Sequence, residues 1–562
     1  MGVAAAASAS ASLKMLSRAT TACLRAMATT AMGARAMCEH QSASVGATTT
    51  TGYVTDVEGS LSFWRRYLAI SQVIYRDDTS GELCLRPCCN FVFGGDSVDK
   101  GSGDLRVLGD LVRLKHKYPD RVHLILGNRD INKMRVLAEL DERQIARRSK
   151  LPVCYWQRSD HESTLEAFLD GLLAERVAAG GTGGNKHELH TAANKLKWML
   201  AKTMGSPDAF EFRRRELGEL QGLCASEVSD DDVVASFVSS LRVGGLMREY
   251  LRLGELAVVI GDSLFVHGGF STPHSAGAAP CVPELGVEAA PSSTSAGEIA
   301  DVRSWCSALN TFASAAVAAW DADPTQEAAQ QQAQCSSGEA GPLWSETGGA
   351  ACGGGLLHFG HGSVPGGKRM DTVVYANFLE DGHATPPPAE VQGFLRRSGI
   401  ARVIVGHQPH GDAPSIMRLG GAQVGSADLE VITADTSFSA FTEWPGAPEA
   451  AASAKDACSE AGGGARGCAV AEVCVVQQAG QRSSRTFVHG RLSSGQGFGF
   501  WSDHAHVGRQ TATGWWVKAA LGQEEGEQQH FLLSRGKGYT VYNRVASADE
   551  VAAEMAAPSP KL

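Results

Sequence analysis

Five short clusters combine carboxylates, an amide and imidazoles with glycine. In chain order they are Asp56-Val-Glu58-Gly59, Gly95-Asp96-Ser-Val-Asp99-Lys100-Gly101, Gly127-Asn128-Arg129-Asp130, Val266-His267-Gly268-Gly269 and Gly406-His407-Gln-Pro-His410. Oxygen and imidazole donors of this kind suit hard or borderline divalent metals such as Mn, Fe, Zn or Mg, rather than a thiolate site. Two such ions about 3.5–4 Å apart clamp a phosphate and lower the pKa of a water between them. One carboxylate must then bridge the pair, and Asp96 is the natural candidate. The flanking glycines let the backbone turn sharply and approach a bound ion or phosphate closely.

Each cluster follows an apolar run that reads as a strand. Gly52 to Thr55 reads as a strand end, Leu61 to Ile70 as a helix, Phe91 to Phe93 as a strand, Leu105 to His116 as a helix and Val122 to Leu126 as a buried strand. Alternation at this spacing predicts βαβ units. In an open α/β sheet, ligands bind beyond the carboxyl ends of the strands, so the five clusters are expected to converge there. Residues 151–253 change to helix after helix and predict an insert. Strands return at Ala257 to Ile260 and Leu264 to Val266 around a Gly261-Asp262 hairpin, then at Val403 to Val405, Leu429 to Thr433, Thr486 to His489 and Tyr539 to Val545. Residues 271–300, 321–366 and 445–485 are rich in Ala, Gly, Ser, Pro and Gln, and their composition predicts surface loops. The expected organisation is a leader over 1–45, a main domain over 50–445 with the insert and a low-complexity stretch over 271–366, and an extension over 446–562.

Composition narrows the partners. The net charge of −10 gives no concentrated basic face, which argues against nucleic acid. No apolar run reaches the length that crosses a bilayer. The 14 cysteines show no paired spacing, as expected of reduced thiols in an intracellular compartment. Residues 1–38 carry Lys14, Arg18, Arg25 and Arg35 and no acid, which is the composition of a mitochondrial or plastid transit peptide. Without import the chain would be cytoplasmic.

The five clusters, in this order, resemble the signature motifs of the calcineurin-like metallophosphoesterases, written DxH, GDxxD, GNH(E/D), H and GHxH. The GDSVDKG and VHGG forms are most similar to the branch holding the phosphoprotein phosphatases and the diadenosine-tetraphosphatase-like enzymes. The resemblance covers roughly 50–140, 255–270 and 400–440. It implies a four-layer α/β/β/α sandwich of two mixed sheets, two divalent metal ions, and direct attack of an activated water on phosphorus. It further implies that Asp56, Glu58 and Asp96 bind one ion. Asp96, Asn128 and His267 would bind the other, with His407 and His410 completing the shells in an order left open. Asp435-Thr436-Ser437 resembles a supporting DTG element. The implied substrates are phosphoproteins, dinucleoside polyphosphates or small phosphorylated metabolites. The oligomeric state is left open.

Three positions depart from that pattern. Glu58 stands where histidine is usual, and the last motif has two residues between its histidines. Arg129 replaces the histidine that would protonate the leaving group, and an arginine with pKa above about 12 holds its proton. Asp99, which would orient that histidine, is expected to pair with Arg129 instead. Arg129 and Lys100 would stabilise phosphoryl charge beside Asp130. A phospho-ligand or nucleotide-binding module without turnover is the alternative. Blander readings apply elsewhere: Val488-His489-Gly490 as a decoy, His358, His361 and His383 as solvent-facing loop residues, and Arg213 to Arg215 as a solvated helix face.

Overall fold

Buried residues alternate along the strands. Tyr53, Val92, Val473 and Val488 share one apolar cluster with Val258, Phe265, Ile404 and Ile432. Their neighbours Val54, Phe91, Phe93, Leu264, Val266, Val403 and Val405 belong to another, with helix residues Trp64, Tyr67, Leu108, Trp305 and Leu309. Side chains on a strand point to opposite faces with a period of two, so strands buried on both faces read as unbroken apolar runs. Each fully buried side chain of this size contributes about 1.5–3 kcal/mol.

The computed structural model describes residues 48–141, 164–180, 185–270, 300–325, 354–362, 372–380, 383–409, 411–420, 429–436, 442–443, 468–481, 483–521, 528–537 and 540–557. The expected leader, most of the 271–366 stretch, His410 and Ser437 lie outside them.

The architecture is mixed α/β. A six-stranded sheet runs in the order Gly497–Trp501, Arg485–Arg491, Val470–Gln477, Thr49–Val54, Cys89–Phe93, Val122–Leu124. A five-stranded sheet runs Ser415–Leu419, Leu429–Thr433, Arg402–Val405, Ser263–Val266, Ala257–Ile260. Tyr53 of the first stacks on Phe265 of the second with ring centroids 5.8 Å apart. In the first sheet Val54 pairs with Phe93 and Phe93 with Leu124, all parallel. The loops carrying Asp56, Asp96 and Asn128 therefore leave the sheet side by side. A four-stranded sheet of Thr442–Glu443, Thr540–Ser547, His530–Lys537 and Trp516–Ala520 joins through a bridge between Phe498 and Leu521.

The helices Leu61–Ile70 and Asp104–Lys117 fall where their periodicity places them. Ser60 caps the first by accepting from Phe63 N at 3.3 Å. The described residues of the insert are helical from Leu165–Ala178 through Leu246–Leu253. Its Arg213 is not a solvated residue: it is buried, 2.9 Å from Asp104, under the Phe237 ring.

Composition misled in two places. Val470–Gln477, inside a stretch read as loop, is an inner strand paired with Thr49–Val54, so the sheet runs across the boundary drawn at residue 445. Its apolar run VAEVCVV is short, and the Gly- and Ala-rich residues before it dilute the signal. Likewise Gly354–Gly360 is a helix with Leu356, Leu357 and Phe359 buried, and His358 and His361 are buried with it. His383 stands in a two-residue strand. His489 sits in mid-strand, its Nε2 3.0 Å from the buried Glu472, which also accepts from Tyr67 Oη, Ser71 Oγ and Gln72 N.

Burial pushes the His361 imidazole down from 6.5 to about 3, while its Nδ1 donates to Leu357 O at 2.7 Å. Between those pH values the unfolded chain takes up a proton that the folded chain refuses. Stability is therefore lost as pH falls through that window, by at most about 1.4 kcal/mol per unit. Urea midpoints followed from pH 7 to 4 should fall less steeply in His361→Gln. Parallel curves would refute this.

Candidate functional site

Backbone strain marks the site. Asp56, Glu58, Asp96, Asp99 and His407 have φ of 52°, 51°, 55°, 105° and 70°. Among the described residues Cys88 alone shares this property without being glycine. A side chain held left-handed costs about 1 kcal/mol or more and persists only where its surroundings fix it. Here backbone bonds do so: Asp56 N to Gly95 O at 3.0 Å, Glu58 N to Asp96 O at 2.9 Å and Lys100 N to Glu58 O at 2.7 Å. The two sheets are stitched at the same place by His407 N, which donates to Asp56 Oδ2 at 3.0 Å, while Gly406 N to His267 O at 2.7 Å extends the ladder of the second sheet. A Cβ on Gly127 would lie 2.2 Å from Asp96 Oδ1, so that approach requires glycine.

Asp130 holds this frame from beneath. Its fully buried carboxylate accepts from Asp96 N at 3.0 Å, Ser97 N at 2.9 Å, Ser97 Oγ at 2.6 Å and Gly127 N at 2.8 Å. Burial, then the charge of Asp96, raises its pKa to about 6. Asp130 thus positions two clusters.

Asp96, Asn128, His267 and His407 come together. His267 Nδ1 donates to Gly94 O at 2.8 Å, which leaves a lone pair on Nε2. That lone pair faces Asn128 Oδ1 at 3.3 Å and Asp96 Oδ1 at 3.4 Å. The His407 ring lies 5.1 Å from that of His267 and 5.1 Å from Tyr375, and neither of its nitrogens makes a well-aligned hydrogen bond among the described residues. Burial, then His267, Arg129 and Lys100, holds His407 well below its usual pKa. Acceptors that face acceptors with no proton between them fit a divalent cation, and the donor types fit an N/O-ligated one. The ligand atoms of Asp96, His267 and His407 lie within 4.8 Å of one another.

Asp56, Glu58 and Asp96 also converge within 4.8 Å. Burial raises the Asp56 pKa well above normal, followed by Asp435, Asp96 and Glu58, so four carboxylates crowd here. These acids already face cations. Arg129 Nε lies 2.8 Å from Glu58 and 3.3 Å from Asp96, an ion contact without hydrogen-bond alignment, and Lys100 Nζ lies 3.0 Å from Glu58. An ion ligated by Glu58 and Asp96 at about 2.1 Å would sit within about 5 Å of that guanidinium, a pair repulsion of roughly 7 kcal/mol at an effective dielectric of about 20, which the carboxylates would have to offset while already sharing their charge with Arg129 and Lys100. This half fits a metal poorly.

Asp99 makes the expected ion pair with Arg129, but two nearer partners were not foreseen. Its main partner is Lys133, 2.7 Å away, with Ser206 Oγ donating at 3.1 Å; Arg129 is the most distant of the three at 3.8 Å. Arg129 Nη1 donates to Ser206 Oγ at 2.6 Å. Lys133 lies one helical turn beyond Arg129 and its spacing could have revealed it. Ser206, on the helical insert, carries no sequence signal.

No family model matches the chain. The serine/threonine-protein phosphatase sitA of Aspergillus fumigatus is 47% identical over 55 residues, which are 10% of this chain and 14% of the relative. Over that stretch the chain resembles a phosphoesterase. Among solved structures, a cold-active protein tyrosine phosphatase covers 80% of this chain, with 78% of its own length covered, at 15% identity and a TM-score of 0.29. A Saccharomyces cerevisiae serine/threonine phosphatase covers 69%, with 67% of its own length covered, at 12% identity and a TM-score of 0.24. Overlays that loose carry no argument.

Asp130→Ala strands buried N–H donors of Asp96, Ser97 and Gly127 and should cost about 3–5 kcal/mol in urea unfolding. Asp130→Asn retains an acceptor oxygen and should cost less than half as much. Equal losses would show that shape, not hydrogen bonding, secures the frame.

Proposed function

We propose that the chain is a metal-dependent phosphoester hydrolase of the calcineurin-like type, built as an α/β/β/α sandwich. The supporting observation is the meeting of Asp96, Asn128, His267 and His407 beyond strand ends of both sheets, with lone pairs turned on one another. A divalent ion bound there would act as Lewis acid toward a phosphoryl oxygen and acidify a water. The dinuclear centre of the resemblance adds a second ion at Asp56, Glu58 and Asp96, where Arg129 and Lys100 already balance charge. His410 stands beyond the described residues as a further ligand candidate.

Arg129 and Lys100 supply positive charge for the phosphoryl oxygens, and Asn128 and His267 orient the phosphate. Arg129 keeps its proton, so no side chain at that position protonates the leaving group. Esters with good leaving groups are therefore favoured. The substrate is a phosphorylated molecule, whether phosphoprotein, dinucleoside polyphosphate or small metabolite. The helical insert brings Ser206 to the site, and an insert standing beside the metal residues favours a small one. A phospho-ligand-binding module without turnover is the second reading, favoured by the salt-bridged Glu58 and Arg129. No described helix is long and apolar enough to cross a membrane. Residues 1–45 are proposed as an organellar leader.

Hydrolysis of p-nitrophenyl phosphate with Mn, Mg, Zn or Fe tests this, with phosphate release as the readout. Activity should appear with at least one ion and fall roughly 100-fold or more in Asp96→Asn. Nucleotide or phosphate binding without turnover under all four ions would favour the module. Arg129→His should raise alkyl-ester rates relative to aryl-ester rates; an unchanged ratio would count against the leaving-group argument.

A further inference from the structure

We infer that this centre takes a single divalent ion, at Asp96, Asn128, His267 and His407, and that the Arg129 guanidinium permanently fills the other half as a fixed cation. The inference rests on the metal-dependent reading above and changes its count of ions.

Three observations carry it. First, Arg129 Nε touches Glu58 at 2.8 Å and Asp96 at 3.3 Å, the very oxygens a first ion would need. Second, the guanidinium is anchored. Its Nη1 donates to Ser206 Oγ at 2.6 Å, its backbone N donates to Asp96 Oδ1 at 2.9 Å, and its side chain is 12% exposed. Swinging it out would break the bond to Ser206 and take a positive charge 2.8 Å away from the buried Glu58. Third, no cation contacts Asn128, His267 or His407 among the described residues, so that half keeps its demand for one. Glu58 then has a role distinct from ligation: its charge balances Arg129, which a neutral imidazole there would not. An arginine is suited to this because it keeps its charge at every working pH and presents a planar set of donors to a phosphate.

Chelator-stripped protein titrated with Mn, its bound metal counted by mass spectrometry after gel filtration, tests this without reference to activity. The expected result is one ion per chain, lost in Asn128→Ala and retained in Glu58→Gln. The wild-type electron spin resonance spectrum should be the six-line pattern of an isolated Mn, and requires no variant to fold. The double substitution Glu58→His with Arg129→His should raise the count to two. Two ions in the wild type, or a spin-coupled spectrum, would overturn the inference and leave the hydrolase reading standing. One ion held by Glu58 and indifferent to Asn128 would overturn it too. No bound ion at all would remove both.

Discussion

Everything at the site hangs on the Asp96 carboxylate. One oxygen accepts from Arg129 N and faces His267, while the other lies against the Arg129 guanidinium. Its own backbone N–H is held by Asp130. A carboxylate buried this deeply is tolerable only with charge and hydrogen bonds on every side. The surrounding loops are shaped to supply them. Positive φ at Asp56, Glu58, Asp96, Asp99 and His407 is the conformational cost of turning so many polar side chains toward one point.

The sheets make that cost bearable. Parallel register among Thr49–Val54, Cys89–Phe93 and Val122–Leu124 brings three clusters to one edge. The second sheet adds His267 and His407 from its parallel strands Ser263–Val266 and Arg402–Val405. Packing of Tyr53 on Phe265 and the His407 N to Asp56 bond lock the two edges together. Residues more than three hundred positions apart thus share a site because two apolar sheet faces exclude water between them.

Much of this was legible in the sequence, and for a physical reason. Polar clusters with glycine directly after apolar runs report both the strand and what lies at its end. The order and types of Asp56, Asp96, Asn128, His267 and His407 were therefore visible, as were the helix over Leu61–Ile70 and the hairpin at Gly261-Asp262. What escaped depends on contacts far apart in the chain. Ser206 beside Asp99 and Arg213 beside Asp104 are long-range pairings that no local pattern encodes. Composition also averages over windows longer than one strand, which hid Val470–Gln477 and the buried helix around Leu357.

The two departures at Glu58 and Arg129 are best understood as one change. Where the resembled motifs carry histidine, Arg129 puts a permanent positive charge among carboxylates, and Glu58 stands 2.8 Å away where those motifs carry an imidazole. Either alone would lose its nearest opposite charge, and breaking a buried ion pair costs several kcal/mol. Together they are neutral. Lys100 on Glu58 and Lys133 on Asp99 extend the same balance outward. The half of the site nearest Arg129 is therefore complete within the protein, and the half built on His267 and His407 is the one that still calls for a cation from outside.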